Sequence, residues 1–167
     1  MEFRRAVSAD LNEILEIIRQ AQDYFKNKGI DQWQNNYPNE EVINNDIESK
    51  KGYVLVDGDI IVGTVSVSFD GEKTYDYIEG EWLSNGDYAV VHRIAVRMDY
   101  KGKGLASVIL KNIEHMCLKE GIHSIKVDTH EDNRSMQRLL QKNRFTYCGV
   151  IYLQDGSKRL AYEKLLI

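Results

Sequence analysis

Apolar residues recur every three or four positions through Leu11, Ile14, Leu15, Ile18, Ala21, Tyr24 and Phe25, a spacing that puts them on one face of a helix. A short strand from Phe3 to Val7 precedes it, Ser8 stands where an N-cap is wanted, and Gly29 stands where the helix ends. Pro38 and Asn39 announce a second helix carrying Val42, Ile43 and Ile47. Two β-branched runs, Tyr53 to Val56 and Ile60 to Phe69, flank Asp57-Gly58-Asp59 and read as a hairpin. Further on come a buried strand from Ala89 to Val96, an amphipathic helix from Ser107 to Glu120 closed by Gly121, and a strand from Ser124 to Thr129. Asn133 opens a helix with Met136, Leu139 and Leu140 facing inward, and strands Phe145 to Tyr152 and Lys158 to Leu165 turn at Asp155-Gly156. The predicted order is β, α, α, β, β, β, α, β, α, β, β, with no internal repeat.

One junction in this pattern carries chemistry. Between the strand ending at Val96 and a helix beginning near Leu105, Gly102, Gly104 and Ala106 keep side chains out of the way while backbone N–H groups converge. The positive end of the helix adds to them, which makes an anion site of a size to take a pyrophosphate. The stretch from Asp70 to Tyr88, by contrast, has Gly71, Gly80 and Gly86 but no clear period, and is too long for a simple turn.

Composition narrows the partners. At 167 residues and 43% hydrophobic content the chain suits one domain with its own core. Lys and Arg number 22 against 26 Asp and Glu, a net charge of -4, so there is no basic field for nucleic acid, and a small-molecule or protein partner is expected. Cys117 and Cys148 sit in core patterns without metal-ligand spacing, as reduced thiols of a cytoplasmic protein would; no metal is expected. The N-terminal segment has Glu2, Arg4, Arg5 and Asp10 and no long apolar run, so neither a signal peptide nor a membrane span is expected.

The segment Ile94-Ala95-Val96 followed by Lys101-Gly102-Lys103-Gly104-Leu105-Ala106 resembles the acetyl-CoA-binding signature of the GNAT superfamily of N-acetyltransferases, whose usual form is Gln/Arg-x-x-Gly-x-Gly/Ala. Asn133 and the helix through Leu140 to Phe145 look like the next motif of that superfamily, and the element order matches along essentially the whole chain. The resemblance implies a single α+β domain over residues 1–167: a mixed, twisted sheet of about seven strands with about four helices, splayed between the fourth and fifth strands. It implies acetyl-CoA as cosubstrate, with the main chain of Ile94, Ala95 and Val96 on the pantetheine arm and the N–H groups of Gly102, Lys103, Gly104, Leu105, Ala106 and Ser107 on the pyrophosphate. Lys101 stands beside those phosphates and Asn133 lines the slot between the splayed strands; a homodimer is common among such proteins. Three positions depart from the usual pattern. Lys101 replaces Gln or Arg, Arg144 replaces the Gly before Phe145, and Leu140 occupies the place of a Tyr that protonates the departing thiol in many members.

Transfer of an acyl group to an amine needs a neutral amine and a route for its proton. His92 shares strand parity with Ile94 and Val96, which puts it on their face, and Asp128 and His130 close the adjacent strand. These three are the candidate catalytic residues, against the alternative of ordinary core or strand-end hydrogen bonding. The 70–88 stretch interleaves Glu79, Glu81 and other acids with Trp82 and three tyrosines, a surface suited to a cationic amine or simply a loop whose aromatics pin it to the core. Trp33 and Tyr37 on the other long loop are candidates for the same acceptor. The expected activity is direct acetyl transfer from acetyl-CoA to a primary amine in a ternary complex, the acceptor being a small molecule. Transfer of another acyl group, and a non-catalytic CoA-binding sensor or interaction module, remain open at this stage.

Overall fold

The apolar stripe of the first helix meets a core on forming. In α1 (Leu11–Lys28), Ile14, Leu15, Ile17, Ile18 and Phe25 are buried, and each Ile or Leu contributes roughly 1.5–3 kcal/mol by leaving water. The computed structural model describes all 167 residues, in two compact units: Met1–Val67 with His92–Asn112, and Ser68–Val91 with Ile113–Ile167. Four helices are present, as expected from the sequence, and the strands number eight rather than about seven. No helix is long and apolar enough to cross a membrane.

The first unit orders its strands β1 (Glu2–Arg5), β2 (Gly52–Asp57), β3 (Ile60–Ser68) and the second part of β5 (Ala89–Val96). β1 and β2 are antiparallel with Phe3 opposite Leu55, and β2 and β3 form the expected hairpin with Gly52 opposite Ser66. Ile14, Ile17 and Ile18 pack with Ile43, Val54, Val56, Ile61 and Ala95 in one cluster. α2 (Glu40–Glu48) starts where expected, Asn39 Oδ1 accepting from the Val42 amide at 3.1 Å. β1 stops short of Val7 because the Val7 amide donates to Asp10 at 2.8 Å, and Asp10 is gripped in turn by Arg4 at 2.8 and 3.0 Å. Ser8 accordingly lies in a one-turn 3-10 helix, Ser8–Asp10, and does not cap α1. Opposite the last helix of this unit, β3 carries Gly63, where a Cβ would meet Ile109 Cδ1 at 2.7 Å; glycine lets the helix seat close to the strand.

The second unit orders the first part of β5, then β6 (Ser124–Thr129), β8 (Lys158–Leu165), β7 (Thr146–Tyr152) and β4 (Glu79–Gly80). β5 and β6 are parallel, Ala89 opposite Ile125 and Val90 opposite Lys126, and the other ladders are antiparallel. The eighth strand is β4, two residues within the stretch the sequence left as a long loop. It pairs on β7 where Gly80 faces Gly149; a Cβ at either would come within 2.2 Å of a carbonyl oxygen of the opposing strand, so both must be glycine. Tyr75, Val90, Ile151 and Ala161 form a buried cluster, with Trp82 and Tyr88 packed against it. α4 (Arg134–Lys142) points Leu140 into the interior, fully buried, and Arg144 closes it in a left-handed conformation, φ 68°.

Candidate active site

In the first unit β5 runs into a glycine turn and then into α3 (Leu105–Lys119). Arg97 leaves the strand with its amide on the Val62 carbonyl at 2.8 Å, and Met98–Tyr100 make a single 3-10 turn. Gly102 and Gly104 follow at φ 80° and 74°, the left-handed region that a side chain resists. A Cβ built at either meets nothing within 4 Å, so backbone conformation and not crowding calls for glycine, and the space over the turn is open. α3 begins at Leu105, where the turn was expected to open the helix, two residues ahead of the amphipathic run from Ser107, and the Val108 amide bonds the Gly104 carbonyl at 3.2 Å. The amides of Leu105 and Ala106 thus stand at the head of the helix with no acceptor a turn back. Buried Leu105 anchors that turn in the core. These features would suit a pyrophosphate: a glycine turn open above, a helix N-terminus, and two lysines in the turn.

Both lysines stack on tyrosines. Lys101 Nζ lies 4.2 Å from the centre of the Tyr24 ring and Lys103 Nζ lies 5.0 Å from that of Tyr100. Partial burial lowers the Lys101 pKa.

Upstream, Arg93 takes φ 54° in the middle of β5. A left-handed non-glycine residue breaks the extended backbone of the strand, and it interrupts the alternation that set His92 on the face of Ile94 and Val96. The parity argument for His92 therefore does not hold; His92, Ile94 and Val96 are all half-buried. The Arg93 guanidinium reaches α2, where Nε and NH2 meet the two oxygens of Asp46 at 2.9 and 2.7 Å, and NH1 donates to the Tyr37 hydroxyl at 3.0 Å. Tyr37 is thereby brought to β5, whereas Trp33, at φ 58°, packs edge-on against Phe25 with centroids 5.6 Å apart and joins the core.

In the second unit Tyr75, buried, donates to Asp128 Oδ2 at 2.6 Å. Burial first, and the Asp128 charge second, hold the Tyr75 phenol well above its ordinary pKa, so it stays a donor. Two residues earlier on β6, the Lys126 ammonium is buried between aromatic rings, 4.0 Å from the centre of Tyr88 and 4.3 Å from that of Trp82. Trp82 also gives its indole N–H to the Tyr75 carbonyl at 3.0 Å. The cation met by these aromatics is the chain's own lysine. Glu79 accepts from the Tyr152 hydroxyl, and Glu81 is exposed. The fully buried Glu163 accepts from the Leu83 amide at 2.7 Å, from Ser124 Oγ at 2.6 Å and from Ser84 Oγ, which fastens the end of the 70–88 stretch to β8.

His130 Nδ1 accepts the Asp132 amide at 3.0 Å, so its neutral form carries the proton on Nε2. Asn133 Oδ1 caps α4 by accepting from the Met136 amide at 3.1 Å. Cys117 and Cys148 are free, buried thiols; burial pushes Cys117 up to about 12 and raises Cys148, so neither supplies a thiolate near neutrality. No group of three or more His, Cys, Asp or Glu side chains is arranged to hold a metal ion. The sequence reading missed Arg93, Asp46 and Lys126, and it had Tyr75 only as one of the aromatics of the 70–88 stretch. Arg93 left a trace, as a charge inside the largely apolar run from Ala89 to Val96.

Comparison with known proteins bears on the whole arrangement. The family model for GNAT acetyltransferases matches residues 13–145. The chain is similar to a solved GNAT-family acetyltransferase from Streptococcus agalactiae 2603, with 34% identity and a TM-score of 0.89 over 99% of this chain and 95% of that one. A proposed acetyltransferase from Staphylococcus aureus Mu50 is 27% identical with a TM-score of 0.76, covering 100% of both chains. The ribosomal-protein-S18-alanine N-acetyltransferase from Escherichia coli, 13% identical over 99% of this chain and 93% of that one, shares the fold with a TM-score of 0.68. No curated protein matches the sequence.

Proposed function

The chain belongs to the GNAT family of acetyltransferases, and from that premise we propose that residues 1–167 act as one domain that moves acetyl from acetyl-CoA directly to a primary amine in a ternary complex. The observation that carries this reading is the turn with Gly102 and Gly104 both left-handed, open above, at the head of α3. The family's cosubstrate, acetyl-CoA, supplies a thioester whose acyl group passes to the amine as the thiol leaves. The amides of Gly102, Lys103, Gly104, Leu105, Ala106 and Ser107 hold its pyrophosphate, with Lys101 beside them. The main chain of Ile94, Ala95 and Val96 takes the pantetheine arm as an added strand would.

The remaining roles concern protons and the acceptor. His92 accepts the amine proton as general base. Asp128, fixed by Tyr75, adds negative charge that attracts a cationic amine, and its carboxylate relays the amine's proton through water. His130, whose neutral form is protonated on Nε2, serves as a donor. Leu140 has no proton to give and is fully buried, so the departing thiol is protonated by another group or by water. Asn133 is placed by its cap bond at the start of α4. For the acceptor, Tyr37 with its hydroxyl on Arg93 is the better supported contact; Trp33 acts from the core side of the same loop. Glu81 offers exposed charge, while Glu79 and Trp82 contribute by holding the acidic segment in place. The raised thiol pKa values of Cys117 and Cys148 argue for direct transfer over an acyl-enzyme.

Thiol release from acetyl-CoA across a panel of amines tests the reading. Turnover with at least one primary amine is expected, and His92→Ala should lower it and remove the acidic limb of its pH profile. Binding of CoA without turnover across the panel would favour a sensor. Faster turnover with succinyl- or propionyl-CoA would reassign the acyl group.

A further inference from the structure

One face of α1 follows the connection between β5 and α3 step by step. Glu13, Glu16, Gln20 and Tyr24 are spaced by three, four and four residues, so they form a single stripe along the helix. The contacts of this stripe advance in the same direction as the connection. Glu13 Oε2 accepts from the Ile61 amide at 3.2 Å and from Arg97 NH2 at 3.4 Å, and Glu16 lies 3.8 Å from Arg97 NH1. Gln20 Oε1 accepts from the Met98 amide at 2.8 Å. Tyr24 presents its ring to the Lys101 ammonium at 4.2 Å. Arg97 is further fixed by its Nε on the Ile61 carbonyl at 2.8 Å.

The connection needs such support. Its internal bonds are those of one 3-10 turn, Tyr100 to Arg97 at 2.9 Å and Lys101 to Met98 at 3.2 Å, and a single turn is weak by itself. Gly102 and Gly104 then bring the widest backbone freedom of any residue. A turn left loose would lose that freedom on closing around an anion, and affinity falls by the cost of ordering. Holding Met98 and Lys101 before the ligand arrives removes part of that cost.

We propose that the Glu13–Glu16–Gln20–Tyr24 stripe of α1 is a template that pre-shapes the phosphate turn, with Gln20 and Tyr24 as positioning residues for CoA. The proposal rests on the assignment of that turn to the CoA pyrophosphate. Lys101 has a double part in it. Its amide closes the 3-10 turn on the Met98 carbonyl while its ammonium rests on the Tyr24 ring. Neither Gln20 nor Tyr24 touches the reacting atoms in this scheme. Their influence passes through the backbone of residues 98–101.

The test uses the full chain and the variants Gln20→Leu, Tyr24→Leu and Tyr24→Phe. CoA affinity is read by calorimetric titration, and kcat/KM is read with two donors, acetyl-CoA and S-acetylpantetheine, the second lacking the pyrophosphate. Both leucine variants should bind CoA roughly three- to tenfold more weakly, the loss expected for one hydrogen bond or ring contact. Their kcat/KM should fall for acetyl-CoA and stay within about twofold for S-acetylpantetheine, and Tyr24→Phe, which keeps the ring, should match wild type. Wild-type affinity for CoA in the leucine variants would overturn the template. So would an equal loss with both donors, which marks a general structural role. Failure of the wild-type chain to bind CoA would instead overturn the assignment of the turn itself.

Discussion

Arg93 and Asp46, 47 positions apart, meet as two parallel hydrogen bonds of 2.9 and 2.7 Å, and the arginine makes them from a left-handed backbone at φ 54°. The pair ties the left-handed residue of β5 to α2 with both side chains largely buried. Burial alone would lower the Arg93 pKa, but the bonds to Asp46 and Tyr37 outweigh it and leave it raised. Asp46→Ala leaves that guanidinium without its counter-charge and should cost about 2 to 3 kcal/mol in urea unfolding. Replacing both, Arg93→Met with Asp46→Leu, should cost less than Asp46→Ala alone, because no buried charge is then stranded. Equal stability of Asp46→Ala and wild type would show that the pair does not sustain the left-handed backbone at Arg93.

That pair also marks where sequence reading stops. The helix from Leu11 and the run from Ala89 to the glycine turn were legible because local chemistry dictates them: helical spacing in one, and left-handed positions that favour glycine in the other. The left-handed break at Arg93 was not, since an arginine at φ 54° is sustained by a partner on another element. β4 escaped notice for a related reason. A strand of two residues has no period, and its existence depends on Gly80 and Gly149 meeting across the sheet. The aromatic residues of the 70–88 stretch were legible as a group, suited either to a cationic amine or to pinning the loop to the core. The structure supplies Lys126, which the strand pattern hides because its neighbours Ile125 and Val127 are buried as well.

Tyr75 and Asp128 give a kinetic prediction. Tyr75→Phe removes the 2.6 Å bond and leaves the ring in the core. If Asp128 assists the amine, kcat/KM for the amine should fall roughly three- to tenfold, with CoA affinity unchanged by calorimetry. Unaltered kinetics would return Asp128 to a purely structural place at the end of β6.

The acid side of the stability profile should report Asp10. Its hydrogen bonds from Arg4, and secondarily from the Val7 amide, hold its carboxyl below the ordinary range against the opposing effect of burial. The folded state thus binds this proton more weakly than the unfolded chain, whose aspartates titrate near about 3.9. The resulting stability is present above that value and is lost as the pH falls through it toward the folded-state value. Asp10→Asn should cost about 1 kcal/mol at neutral pH, a figure reduced for the partial exposure of Arg4. Unfolding curves at pH 7 and at about pH 3 should show the difference shrinking. A difference independent of pH would assign the effect to shape and not to charge.

At the end of α4, Arg144 sits at φ 68° where its amide meets the Gln141 carbonyl at 3.0 Å and the Phe145 amide meets that of Leu140 at 2.9 Å. Glycine adopts this helix-closing conformation without strain. Arg144→Gly should raise stability by up to about 1 kcal/mol, the backbone strain relieved exceeding the entropy that glycine adds. Thermal unfolding measures it, and a lower melting temperature would show that the arginine side chain contributes more than its backbone costs.

Calorimetric titration of acetyl-CoA into wild type, Gly104→Trp and Gly58→Trp tests the central claim most directly. Gly104 and Gly58 are both left-handed, at φ 74° and 63°, and both have open space where a Cβ would stand, so the two substitutions impose similar backbone strain. Only the first fills the turn at the head of α3. Wild type and Gly58→Trp should bind alike, and Gly104→Trp should lose at least about tenfold in affinity, or about 1.4 kcal/mol. Equal affinity in all three proteins would contradict the account, because acetyl-CoA would then be held somewhere other than the glycine turn.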